Sequence, residues 1–163
     1  SSNLSVDGNE DADFSHKSCS HTDPNGIRPA WWSVDFGEER ILKKIIIFNR
    51  KGFTGRLNDA RVLGVTKNGR VIEIDRSANY SQDRIIIDTT INELLHNVTI
   101  ILREDSEQNI INICEVEVYA DLNVARRKPV NQTSTWGSFG AELAVDGNSH
   151  PYFDTGKSCT AAR

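Results

Sequence analysis

Apolar positions along this chain fall mostly in short alternating runs, the pattern of half-buried strands. Residues 112–119 show it best. Cys114, Val116 and Val118 lie on one face, and Glu115, Glu117 and Tyr119 on the other. Residues 41–48 and 84–87 are dense in β-branched side chains, and residues 31–36 and 98–103 read as further strands. Residues 60–66 and 70–75 flank Lys67-Asn68-Gly69. Asn-Gly there predicts a hairpin, because a type I′ turn needs positive φ at both central positions. Only residues 90–96 are expected to form a short helix. About eight strands suggest an all-β sandwich or jelly roll.

The strands are set inside a repeat. Residues 2–9 read SNLSVDGN and residues 141–148 read AELAVDGN. FSHKSC (14–19) is then matched by FDTGKSC (153–159), with one residue inserted. The period is domain-sized, too long for a solenoid. The expected organisation is a first domain over 1–121 that lacks its opening strand, and the start of a second over 122–163. Residues 123–140 are then the counterpart of a segment expected before Ser1. They are expected to complete the first domain in cis, or that of a neighbouring molecule by a strand swap that yields a homo-oligomer. The chain opens on Ser-Ser-Asn-Leu with no initiator Met, as a processed product or fragment does.

Composition narrows the function. The 163 residues are 37% hydrophobic and 26% charged, with a mean hydropathy of -0.46, so no apolar run approaches the length of a transmembrane segment. The net charge of -4 argues against a nucleic-acid partner bound by bulk electrostatics. Three cysteines, Cys19, Cys114 and Cys159, lie far apart, which argues against a zinc cluster. Cys19 and Cys114 are either two buried thiols or a disulfide that would bring Glu115 beside Asp7. The sequons at Asn97 and Asn131 are weak pointers to secretion.

Four segments carry candidate chemistry. Asp7-Gly8-Asn9 is either a plain turn or a source of oxygen ligands for a hard cation such as calcium. Glu115 follows Cys114 and is assigned to that metal, whereas Glu117 is assigned to a solvated face. Arg50 and Arg56 flank a Gly-containing loop with Phe53 between them; they are either surface arginines or N–H donors for sugar oxygens. His21 is either exposed or a donor to a ligand hydroxyl. No G-x-S-x-G, H-E-x-x-H, P-loop or GxGxxG occurs, so an enzyme is not expected.

V-D-G-N (6–9), K-S-C-S-H (17–21), W-W-S-V-D-F-G (31–37), F-N-R (48–50), R-L-N-D-A-R-V (56–62), C-E-V-E-V (114–118) and the linker N-V-A-x-x-K-P (123–129) together resemble the F-type lectin (fucolectin) family. This is a branch of the discoidin-like jelly rolls. The resemblance implies a secreted, non-catalytic lectin that recognises fucosylated glycans on glycoproteins or cell surfaces. It puts the fucose site at His21, Arg50 and Arg56, with Phe53 facing the sugar's methyl group. It also implies a structural calcium held by carbonyls of Leu4, Asn9 and Ser18, the side chains of Asp7 and Ser18, and Glu115. The implied disulfide is Cys19–Cys114, and Cys159 pairs with a residue beyond 163. The His21-to-Arg50 stretch is longer than the family's. The Arg50-to-Arg56 segment is one residue shorter, and lacks the family's Asp and adjacent cysteine pair. The altered loop keeps two other readings open. One is a discoidin-type adhesion module on a protein or lipid partner; the other is the glycan-binding appendage of a larger enzyme.

Overall fold

The computed structural model describes residues 1–76, 80–121, 129–135, 137–138 and 140–146. Eight strands run in chain order: β1 (Ser20–His21), β2 (Trp31–Arg40), β3 (Leu42–Asn49), β4 (Ala60–Val65), β5 (Val71–Arg76), β6 (Arg84–Asp88), β7 (Leu95–Leu102) and β8 (Asn112–Ala120). They form two four-stranded sheets, β1-β8-β3-β6 and β2-β7-β4-β5, with antiparallel pairing throughout. This is the jelly-roll sandwich that the alternation predicts. Ile45, Ile47, Ile85 and Val116 of one sheet share a buried cluster with Val62, Val98 and Ile100 of the other. Each such side chain contributes about 1.5–3 kcal/mol when fully buried.

The expected hairpin joins β4 to β5, but its turn is not type I′. Asn68 is not at positive φ, and Gly69 N–H donates to the Thr66 carbonyl at 2.9 Å. Gly69 alone takes the left-handed conformation, at φ 84°, while Thr66 N–H donates to the Arg70 carbonyl at 3.0 Å. The expected helix over 90–96 does not form. Residues 89–94 connect β6 to β7, and Leu95 and His96 already belong to β7. Seven residues that include Thr90 and Ile91 cannot carry the cost of helix nucleation. Tertiary packing claims Leu95 instead: it is fully buried against Gly64, where an added Cβ would lie 2.5 Å from Leu95 Cδ1.

β8 departs from simple alternation at one point. Its register against β3 runs Phe48↔Glu115 and then Asn49↔Ile113, so Cys114 is an extra residue. Such a bulge reverses which face each side chain takes. Ile113, Val116 and Val118 therefore pack on the core, while Cys114 is buried outside that cluster. It forms a disulfide with Cys19 across 95 residues of sequence.

The chain divides into two compact units, Ser1–Asp121 and Leu122–Arg163. In the first, Ser2–Ser5 makes a 3₁₀ turn closed by Val6 N–H to Asn3 O at 3.2 Å. In the second, Ala141–Ala144 makes the same turn, closed by Val145 N–H to Glu142 O at 3.1 Å. The two turns occupy equivalent places in the SNLSVDGN and AELAVDGN segments. Residues 122–128, Gly147, Asn148 and the segment with Cys159 lie outside the described residues.

Candidate functional site

The loop after β3 is built on Asn49. This side chain is fully buried. Its Nδ2 donates to the carbonyls of Thr54, Tyr80 and Gln82 at 3.0, 3.0 and 3.2 Å, and its Oδ1 accepts from Arg50 N–H at 2.9 Å. Gly52 turns the chain at φ 78°, a conformation that disfavours side chains with a Cβ. The 3₁₀ turn Thr54–Leu57 follows, anchored by fully buried Leu57. Pinned at both ends, the loop presents Arg50, Phe53 and Arg56 on one side.

These side chains meet His21. The Arg50 guanidinium carbon lies 4.3 Å from the Phe53 ring centroid and 4.0 Å from that of Phe14. The Arg56 guanidinium carbon lies 4.4 Å from the same Phe53 ring. Arg56 Nη1 is 3.4 Å from His21 Nε2 and donates to Asn112 Oδ1. His21 Nδ1 lies 2.6 Å from the Thr22 carbonyl, which can only accept, so Nδ1 carries the proton. In the neutral ring Nε2 is then an acceptor, and the ring is exposed. The Phe14 and His21 rings lie 5.9 Å apart. All four residues proposed for the sugar, His21, Arg50, Phe53 and Arg56, thus share one cradle. Phe14 and Asn112 join it although the sequence reading gave them no role. Phe14 was visible only as a repeat match, and nothing local marks Asn112, which arrives because β8 pairs with β1 at His21↔Asn112.

Partial burial, and then the charge of Arg50, pull Arg56 below the ordinary arginine value. The two like charges repel, and three cation–π contacts, at about 0.5–1 kcal/mol each at exposed sites, oppose that repulsion. Phe53 and Phe14 therefore hold the two guanidinium groups together.

A second loop, over residues 7–18, abuts the first: Lys51 N–H donates to the Ala12 carbonyl at 3.0 Å. Four side chains in succession accept from the backbone two residues on. Asp7 takes Asn9 N–H at 3.0 Å, Asn9 takes Asp11 at 3.1 Å, Asp11 takes Asp13 at 2.9 Å, and Asp13 takes Ser15 at 2.9 Å. Glu115 comes in from β8, 5% exposed, and its Oε2 accepts from Gly8 N–H at 3.2 Å. Burial pushes its carboxyl above the usual value, and Asp7 and Glu117 add to this against the pull of the Gly8 N–H. Ser18, also buried, donates its hydroxyl to the Asp13 carbonyl at 2.9 Å. Among the described residues no three His, Cys, Asp or Glu side chains gather as a metal cluster. A cation here would therefore depend on backbone carbonyls such as those of Leu4, Asn9 and Ser18 besides the carboxylates of Asp7 and Glu115. A buried carboxylate beside a second acid, in an all-oxygen setting, fits a hard cation.

Residues 4–93 match the family model of the NedA-like, galactose-binding domain. Fucolectin-1 of Anguilla japonica is 45% identical over 61 residues, which are 37% of this chain and 33% of that protein. The matched stretch thus spans about a third of the length of the curated fucolectins. A Streptococcus pneumoniae fucose binding module, SpX-3, superposes with a TM-score of 0.62 at 31% identity, over 74% of this chain and 85% of that one. A fucolectin from the serum of Morone saxatilis (striped bass) gives a TM-score of 0.56 at 28% identity, over 91% of this chain and 53% of that one. The chain belongs to the family of NedA-like, galactose-binding domains, within which it is an F-type lectin domain.

Proposed function

We propose that this domain is a non-catalytic lectin that binds fucose-containing glycans through His21, Arg50, Phe53 and Arg56. The observation that carries it is the convergence of both guanidinium groups on Phe53 with Arg56 Nη1 at 3.4 Å from His21 Nε2. Guanidinium N–H groups suit ring and hydroxyl oxygens, and Nε2 suits a hydroxyl proton. The exposed parts of Phe14 and Phe53 offer apolar surface to a deoxy carbon. Relatives described as fucolectins and fucose binding modules support the same ligand. The serum origin of one relative and the Cys19–Cys114 disulfide support an extracellular setting.

The reading includes a structural calcium ion at Asp7, Ser18, Glu115 and the carbonyls of Leu4, Asn9 and Ser18. Calcium would supply positive charge that holds the loop to β8. It also includes residues 122–163 as the start of a second domain of the same kind. A tandem arrangement raises avidity without new contacts.

The test is a fucose-terminated glycan array probed with and without calcium. Selective retention of fucosylated glycans is the expected result. A blank array from folded protein overturns the reading and favours an adhesion module on a protein or lipid. Ile27, 84% exposed in the loop after β1, is the feature that fits this second role.

A further inference from the structure

The cradle is one-sided in its hydrogen bonding. Among the described residues no carboxylate forms an ion pair with Arg50 or Arg56. The acids of the adjoining loop are engaged elsewhere: Asp11 with His16 at 2.7 Å, and Asp13 with the Ser15 N–H and hydroxyl at 2.9 and 2.7 Å. Asn112 is fully buried beneath Arg56; its Oδ1 is taken by that guanidinium, and its Nδ2 has no partner among the described residues. The side-chain acceptor left is His21 Nε2, and Arg56 already lies 3.4 Å from it. Two guanidinium forks therefore face solvent with donors in excess. A neutral sugar hydroxyl both donates and accepts, so in a cradle with few acceptors its own proton goes largely unpartnered. An oxyanion accepts only, and guanidinium binds it through paired N–H bonds.

We propose that the cradle selects fucosylated glycans carrying an oxyanion, a sulfate ester or a carboxylate, with Arg50 and Arg56 reading that group. The inference rests on the lectin reading above and specifies its ligand. Phe53 acts as the spacer that lets two cations stand together without an acid between them. The anion supplies the missing counter-charge on binding.

The experiment compares four probes on the folded chain, at low and high salt: a neutral fucosyl oligosaccharide, its sulfate ester, its sialylated form, and the sulfated oligosaccharide without fucose. At least one anionic fucosyl glycan is expected to bind about tenfold more tightly than the neutral one, a gap that closes at high salt. Arg50→Gln is expected to erase the gap. A sulfate response alone or a sialyl response alone identifies the source of the oxyanion. Equal affinity for the three fucosyl probes overturns this proposal and leaves the lectin reading standing. An equal loss for all probes in Arg50→Gln also overturns it. If the sulfated probe binds as well without fucose, the fucose reading falls and this proposal, which needs both groups on one glycan, falls with it. If no probe binds, both fall.

Discussion

Two loops touch at one end of the sandwich and carry opposite chemistry. Residues 49–57 present donors: two guanidinium groups stacked on Phe53, with no acid paired to either among the described residues. Residues 7–18 present acceptors: a succession of Asp and Asn side chains backed by buried Glu115. They are mounted on the same few residues of β8. Asn112 holds Arg56, Cys114 holds Cys19, and Glu115 holds Gly8. The bulge at Cys114 gives neighbouring residues different directions, so one strand serves both loops. The two guanidinium groups are thus left without an acidic partner among the described residues, and buried Glu115 without a cationic one.

The strongest way to break the comparison is at the shared support. Replacing Cys19 and Cys114 by Ser is expected to cost about 2–5 kcal/mol, because the bridge restrains a long segment of the unfolded chain. Denaturant unfolding with and without reductant measures it. Both thiols free in unreduced protein would remove the bridge. Next comes the donor loop. Arg56→Ala is expected to lower glycan affinity by about 10- to 150-fold, since a charged hydrogen bond is worth roughly 1.5–3 kcal/mol. Melting temperature should fall modestly, because Asn112 Oδ1 loses its partner, and calorimetric titration on the folded protein reads the affinity directly.

The acceptor loop is predicted to respond with a change of sign. In chelator, Glu115 is a buried charge beside Asp7, so stability falls as pH rises from the unfolded carboxyl value near 4.5 through the raised folded one. Glu115→Gln is therefore expected to raise the melting temperature in EDTA and to lower it with calcium present. Each kcal/mol moves it by roughly 2–4 °C for a chain of this size. No response to either calcium or EDTA would remove the metal from the loop.

The smallest effect is expected from Asp11 and His16. The Asp13 N–H, and then His16, hold the Asp11 carboxyl below 3.8, and Asp11 raises the His16 pKa above 6.5. His16 therefore adds stability that is full below 6.5 and lost as pH rises through its raised value; the Asp11 share is lost as pH falls through its lowered one. Both groups are exposed, so an NMR titration of the His16 ring is the sensitive measurement, and a midpoint at or below 6.5 would refute the pair.

The strands were readable because alternation and β-branching are local properties. The hairpin at Asn68-Gly69 was readable for the same reason. The loop anchor Asn49 was not, because the carbonyls it satisfies come from Thr54, Tyr80 and Gln82, brought together only by the fold. Asn112 was hidden by the bulge, which breaks the alternation used to assign faces on β8. Arg50, Phe53 and Arg56 stood out as a basic loop around an aromatic. What sequence could not supply was their mutual geometry, in which Phe53 contacts both cations. The two 3₁₀ turns mark the same limit. SNLS and AELA give one turn, yet Ser5 is buried with its hydroxyl on Ile113 O at 3.0 Å, whereas its counterpart Ala144 is exposed.

The two-rung pairing of β1 with β8 also bears on how the cradle is assembled. Ser20↔Ile113 and His21↔Asn112 join positions more than ninety residues apart. Chains dominated by such distant pairings fold slowly, because loop-closure entropy is lost before the contacts reward it. The cradle draws on three separated stretches, around residues 14–21, 49–56 and 112. None of these can recognise a glycan while the chain is partly folded. Glycan retention therefore reports completion of the whole topology, and a refolding time course followed by binding should lag one followed by strand content.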